Sequence, residues 1–185
     1  MPRTKRLPQQ IDAGGRAEPK VREPKASRPR MPKDYGIVKA KNGEGLLPWG
    51  HVGERMARAR NYWVSTTRPD GRPHVMPVWG VWVDEAFYFG TDRRSRKARN
   101  IASNPAMAVH LESGDEVVIV EGRAEEVTGG PALSQVDKAY AEKYGMGLSG
   151  HPADVVLYGL RPRVAFAWRE QDFNKSATRW TFDDL

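Results

Sequence analysis

Ser95, Arg96 and Lys97 follow the end of a hydrophobic strand and open a segment that reads as a helix from Lys97 to Ser103. A serine hydroxyl at the N-cap accepts a hydrogen bond from a first-turn amide that would otherwise lack a partner. Free N–H groups, the positive end of the helix dipole and two cationic side chains then meet at one point, and that combination holds phosphate. Arg93, Arg94 and Arg99 raise the charge to five cations in seven positions, where one phosphate monoester needs about two plus amides. The same residues also fit a capped surface helix whose basic side chains face water.

Other chemistries find little support. His51, His74, His110 and His151 are scattered, with no i, i+4 pair and no carboxylate set around them, so no metal is expected. His74 stands at the start of the strand that leads toward the basic run, where a histidine bonded to backbone is the common outcome. The chain has no cysteine, which excludes disulfides, thiolate ligands and a cysteine nucleophile. It also has no G-x-S-x-G. Gly145 to Gly150 fits G-x-G-x-x-G, but it follows a helix and runs into His151-Pro152, whereas the dinucleotide fingerprint needs a strand before and a helix after.

The elements that must position the basic run can be read from periodicity. Pro73 to Val83 is apolar on both faces, then Asp84-Glu85 makes a tight turn and a second aromatic strand ends at Gly90-Thr91. An antiparallel strand with one wet face should alternate, so both faces of Pro73 to Val83 need cover: the core on one, and a cofactor ring, a partner subunit or a local element on the other. Pro77 marks an edge or bulge there, because it cannot donate to a ladder. Upstream, a helix opens at Pro48-Trp49 with Val52, Met56 and Ala59 in one stripe. Tyr62 to Thr67 is a strand, and Pro69-Asp70-Gly71 returns it as a hairpin. Ala106 to Leu111 and Glu116 to Val127 pair next, with Gly122 and Ala124 leaving one face bare for close approach. Pro131 opens a helix carrying Leu133, Val136 and Tyr140 and ended by Gly145. Val155 to Leu160 and Val164 to Arg169 supply the last strands. The expected fold is mainly β, a six-stranded antiparallel split barrel of Greek-key type with two or three peripheral helices.

Charge is unevenly spread. Ten of the 30 Lys/Arg lie in residues 1–33 against three acids, so this segment carries the whole net charge of +7. It holds six prolines and almost no large apolar residue, so 1–33 reads as a disordered basic tail, 34–46 as a linker and 47–185 as the barrel domain. Nucleic-acid contact is conceivable for the tail only. With no apolar signal segment and no run near the ~20 residues that span a bilayer, a soluble cytoplasmic protein with no membrane contact is expected.

The run F-G-T-D-R-R-S-R-K-A-R-N-I-A-S-N-P resembles the phosphate-binding segment of the pyridoxamine 5'-phosphate oxidase-like split barrels. W-V-S-T-T-R-P-D-G-R-P-H-V-M-P-V-W-G-V-W, with R-P-R-V-A-F-A-W and S-A-T-R-W-T-F, is similar to their flavin/deazaflavin oxidoreductase branch. The resemblance implies a homodimer with two cofactors at its interface, coenzyme F420 or alternatively FMN. It implies that Met76, Pro77, Val78 and Trp79 border the ring, that Gly90 and Thr91 approach the phosphate, and that Ser95, Arg96 and Lys97 bind it. Arg179 and Trp180 would reach in from the C-terminal segment, across the dimer. The implied reaction is hydride transfer from reduced deazaflavin to a small unsaturated acceptor. The alternatives are an FMN oxidase or reductase and a non-catalytic flavin or haem carrier. No catalytic side chain is assigned. Gly90 stands where the pyridoxamine phosphate oxidases usually have an aromatic residue, which speaks against vitamin B6 chemistry.

Overall fold

The computed structural model describes residues 24–148 and 154–182. Among these residues, nine strands and four α-helices follow in chain order. They are β1 (Lys25–Ser27), α1 (Trp49–Arg58), β2 (Tyr62–Thr67), β3 (Pro73–Val78), β4 (Val81–Val83), β5 (Ala86–Asp92), α2 (Arg96–Ser103), β6 (Ala106–His110), β7 (Glu116–Glu126), α3 (Pro131–Tyr144), β8 (Val155–Arg169), α4 (Phe173–Ser176) and β9 (Thr178–Thr181). Among the described residues, no helix is long and apolar enough to cross a membrane.

All the pairings are antiparallel, in the order β1-β9-β8-β7-β6-β2-β3, with β5 joining β8 to β4. The 15 residues of β8 serve two neighbours in succession, β5 along Val155 to Leu160 and β9 along Val164 to Ala167. The ladder therefore returns to β4 and stays open only at Trp79-Gly80, where β3 leads covalently into β4. Inside lie Tyr62, Val64, Phe87, Phe89, Val109, Val118, Val120 and Leu160, joined by Val52 and Met56 of α1. A second apolar layer sits outside, where Val136 and Tyr140 of α3 cover Val81, Ala86, Tyr88 and Leu157.

The expected count of six strands falls short of the nine observed. Pro73 to Val83 is two strands, because Gly80 lies so close to Phe87 that a Cβ there would be 2.4 Å from the ring. The two predicted C-terminal strands are one continuous β8. Strand β1 falls inside the segment read as a disordered tail, and it pairs Lys25, Ala26 and Ser27 with Thr181, Trp180 and Arg179. Composition speaks for side chains, whereas an edge strand is added through main-chain groups. Arg28 strengthens this attachment by donating to the carbonyls of Val38 and Ala177 at 2.9 Å each. Residues 1–23, and with them most of the basic tail, lie outside the described residues.

Two local readings match. Gly71 takes φ 82° in the β2–β3 turn. A Cβ on Gly122 would be 2.2 Å from the Arg161 carbonyl oxygen, at the register shift between β7 and β8.

Candidate functional site

Helix α2 begins one residue earlier than the sequence suggests, and Ser95 caps it: its Oγ accepts from the Ala98 amide at 3.2 Å and from Thr91 Oγ1 at 3.1 Å. Thr91 is buried on β5, so the cap is anchored to the barrel wall. Arg96 is exposed and Lys97 half-buried at the first turn, and burial holds the Lys97 ammonium below the ordinary lysine range.

The rest of the basic run separates from this pair. Arg93 is bound by Glu126 at 2.5 Å, and Arg94 by Asp92 at 3.0 Å and Asp154 at 3.2 Å. In their place a cation from outside the run approaches: Arg68, at the end of β2, acts with Arg96 and Lys97 on the His74 imidazole. Asp70 lies near Arg68 and Arg96 but is itself held by Arg72 at 2.7 Å.

His74 is connected to α2 through buried groups. Thr66, opposite it on β2, brings its Oγ1 to 3.4 Å from both the His74 carbonyl oxygen and Nδ1. The same oxygen accepts from Asn100 Nδ2 at 2.9 Å. Asn100 is fully buried on α2, and its Oδ1 has no hydrogen-bond partner among the described residues. Burial and the surrounding Arg68, Lys97 and Arg96 push the His74 imidazole below the ordinary histidine value.

Beside this cationic cluster runs the edge of β3, which among the described residues pairs with β2 alone. Val75 is 44% exposed, Met76 42% and Trp79 43%, while Val78 points into the core. Trp79 is held face to face with Tyr144 at 4.6 Å between ring centroids. The following break is clasped by α3. Tyr140 Oη donates to the Trp79 carbonyl at 3.1 Å and accepts from the Gly90 amide at 3.2 Å. Tyr144 Oη accepts from the Gly80 amide at 2.9 Å. Lys143 Nζ donates to the Ala59 carbonyl at 2.9 Å and to Tyr62 Oη at 2.8 Å.

Of the residues singled out from sequence, the structure brings Thr91, Ser95, Arg96 and Lys97 together at one cap and places Met76, Pro77 and Trp79 on the exposed β3 edge and just after it, Met76 on one face and Pro77 on the other. Four fall elsewhere. Val78 is buried in the core and does not face the open edge. Gly90 faces α3, and its amide is already given to Tyr140, so it offers no donor to a phosphate. Trp180 is 1% exposed and packs edge-on against Trp49 at 5.6 Å, which makes it a core residue. Arg179 faces outward, but along the cross-strand row Pro77, Trp63, His110, Ile119, Phe166, Arg179, Ser27 it lies toward the far end from Pro77. Arg68, Thr66 and Asn100 went unnoticed, because nothing in their local spacing announces that a hairpin and a helix will join them. His151 lies outside the described residues, and among the described ones no three His, Cys, Asp or Glu gather as a metal site.

Two adjoining clefts, of about 400 and 370 Å³, open on the α3 side of β5 and β8, lined among others by Arg123, Arg161, Leu133 and Leu157. Neither of these two clefts includes Met76 or the α2 cap.

Comparison with known proteins agrees with this architecture. A pyridoxine/pyridoxamine 5'-phosphate oxidase of Gluconobacter oxydans (strain 621H) is 28% identical, with 65% of this chain and 76% of that protein covered. A solved structure described as an F420 reductase is 29% identical, with TM-score 0.50, covering 64% of this chain and 98% of its own. A conserved hypothetical protein from Mycobacterium tuberculosis shares the fold with TM-score 0.58 at 23% identity, over 71% of this chain and 90% of that one. The family described as pyridoxamine 5'-phosphate oxidase matches residues 51–169, from α1 to the end of β8. That span is well over half of the sequence and contains both the α2 cap and the β3 edge, so the chain belongs to the pyridoxamine 5'-phosphate oxidase family.

Proposed function

We propose that this protein is an oxidoreductase that holds coenzyme F420 and passes hydride to a small unsaturated organic acceptor. The observation that carries the reading is the continuity of Met76 and His74, alternate residues on one face of β3, with a cationic helix start reached through Thr66, while Val75 and Trp79 leave the other face of the same edge open. A flat ring with an anionic arm has those two chemistries in that sequence. The residues fit the group: a capped helix start for the phosphodiester, Arg96 and Lys97 as its counter-charges, and Arg68 as a further cation for the carboxylates beyond it. The likeness to an F420 reductase supports the choice of deazaflavin.

The cofactor, when bound, supplies the hydride. What the chain contributes is position and dryness. Arg96, Lys97 and the α2 amides fix the anionic arm, and the β3 edge holds the ring plane beside Met76. The Tyr144 stack and the Tyr140 bond keep Trp79 still, so that an acceptor can be held in near contact. A second copy of the chain completes the site as a homodimer, excludes water and brings the partner's Arg179 to it.

Titration of the full chain with F420 and with FMN, read by native mass and fluorescence, tests this. The expected result is tighter F420 binding with two cofactors per two chains, weakened at least about tenfold when Arg96 and Lys97 are both replaced by alanine. Tighter FMN binding would replace the reading with an FMN enzyme. That alternative is favoured by one observation: Glu126 and Asp92 pair with Arg93 and Arg94, which reduces the five cations of the run to three, nearer to what a single phosphate needs.

A further inference from the structure

We infer that His74 is a specificity-determining partner of the anion site, taking up one proton at Nε2 when a doubly charged phosphate-type group enters beside Arg68, Arg96 and Lys97. The inference rests on the proposed anion site at the α2 cap and assigns it a charge-reading residue.

The geometry supports it in three ways. Three cations from two elements, Arg68 after β2 and Arg96 and Lys97 on α2, act on one imidazole, and no carboxylate is among the groups that shift it. Asp70, an acid close enough to interact with Arg68 and Arg96, is occupied by Arg72 through its side chain and by the Arg72 amide. The region is therefore positive and lacks its counter-charge until a ligand brings one.

Next, Nδ1 is the ring nitrogen that the barrel engages: Thr66 Oγ1 lies 3.4 Å from it and from the His74 carbonyl oxygen, and accepts from buried Asn100. A tautomer with the proton on Nδ1 satisfies all of these contacts at once, the Thr66 hydroxyl donating to the carbonyl. In that tautomer Nε2 carries the free lone pair and is the atom that titrates.

Finally, the buried Asn100 amide, whose Oδ1 has no partner, lies directly behind Thr66 on the helix that carries Arg96 and Lys97. The side chain that orients the histidine thus belongs to the element that carries the anion cap.

The sign of the effect follows. Without ligand the imidazole is below its ordinary value and neutral at pH 7. A dianion reverses the local field and raises it. Between the free and bound values, binding takes up one proton, so affinity falls by up to about tenfold per pH unit as pH rises. A monoanionic phosphodiester exerts a weaker pull and shows a shallower slope.

The test follows the His74 ring signal of the full-length protein by NMR across about pH 5 to 9, assigned by its loss in His74→Gln. The probes are sulfate, a dianion that does not itself titrate in this range, then FMN and F420. Upward movement of the His74 midpoint with sulfate and FMN, and less with F420, supports the inference. In parallel, the pH slope of FMN binding should flatten in His74→Gln, and in His74→Lys it should flatten with affinity retained. If F420 binds while the His74 midpoint stays fixed, the inference is overturned and the cofactor reading stands; if FMN alone binds with the midpoint fixed, the inference is overturned and the cofactor reading gives way to an FMN enzyme. If sulfate moves His74 but neither ring cofactor binds, the inference holds and the cofactor reading falls. No response to any probe overturns both.

Discussion

Gly80 divides one apolar run into two halves with opposite fates. After it, Val81 is 1% exposed and Ala86 1%, covered by α3. Before it, Val75, Met76 and Trp79 each keep more than two fifths of their surface open. The residue types hardly differ between the halves; what differs is whether this chain supplies a cover. A run that is apolar on both faces demands two covers, and α3 provides the second one downstream of the break, reaching upstream to Trp79 through the Tyr144 ring. The upstream half is thus the place where something from outside the chain, a ring or a second copy, has a reason to sit.

Breaking the covered half should bring the largest effect. Phe87 is fully buried, stacks near Phe89 at 5.8 Å and fills the space that Gly80 leaves open. Phe87→Ala should lower unfolding stability by about 3–5 kcal/mol in urea titrations. Tyr140→Phe keeps the ring and removes only the hydroxyl, orphaning the Gly90 amide and the Trp79 carbonyl. It should cost about 1–3 kcal/mol and loosen Trp79, seen as a change in its fluorescence. A loss as large as that of Phe87→Ala would mean that the clasp, rather than the packing, holds the covered half.

The contrast between the halves also marks what the sequence could disclose. The Ser95 cap was legible because capping is a local rule, satisfied within three residues. So was the β2–β3 turn, which needed a residue able to take positive φ at Gly71. Trp180 was misjudged because alternation in a four-residue strand does not say which face is inside; β8 and α1 decide that. The clasp was half visible. Tyr140 was placed in the apolar stripe of α3, but its hydroxyl serves backbone 50 and 61 residues away, a pairing that spacing cannot encode. The Thr66 to Asn100 bond spans 34 residues and was hidden for the same reason. Local signals thus supplied the elements and the cap, whereas the residues behind the cap emerged only from tertiary packing.

A smaller effect tests the clasp through pH. Burial lowers Lys143 to about 8, while an unfolded lysine titrates near ~10.4. Between these values the folded protein has released a proton that the unfolded chain retains, so stability should rise with pH across roughly 8 to 9.5. Above that, the buried phenols of Tyr62 and Tyr140, both raised by burial, oppose the trend because the unfolded chain loses their protons first. Urea midpoints at intervals through this window should climb in the natural protein and stay level in Lys143→Met. A climb that survives the substitution would place the titrating group elsewhere.

The smallest change in stability should come from the open half, and there the smallness is informative. Replacing Val75 and Met76 together by serine alters side chains that are 44% and 42% exposed, and solvent-facing substitutions usually shift stability by no more than about 0.5 kcal/mol. With the fold intact, the same double variant should lose ring-cofactor uptake and run at the mass of one chain in native mass measurements. A stability loss beyond about 1 kcal/mol with no change in mass or uptake would show that this edge is already covered within the chain. The two halves of the run would then differ in degree of packing only, and nothing would single out the β3 edge as the place where a partner or a cofactor belongs.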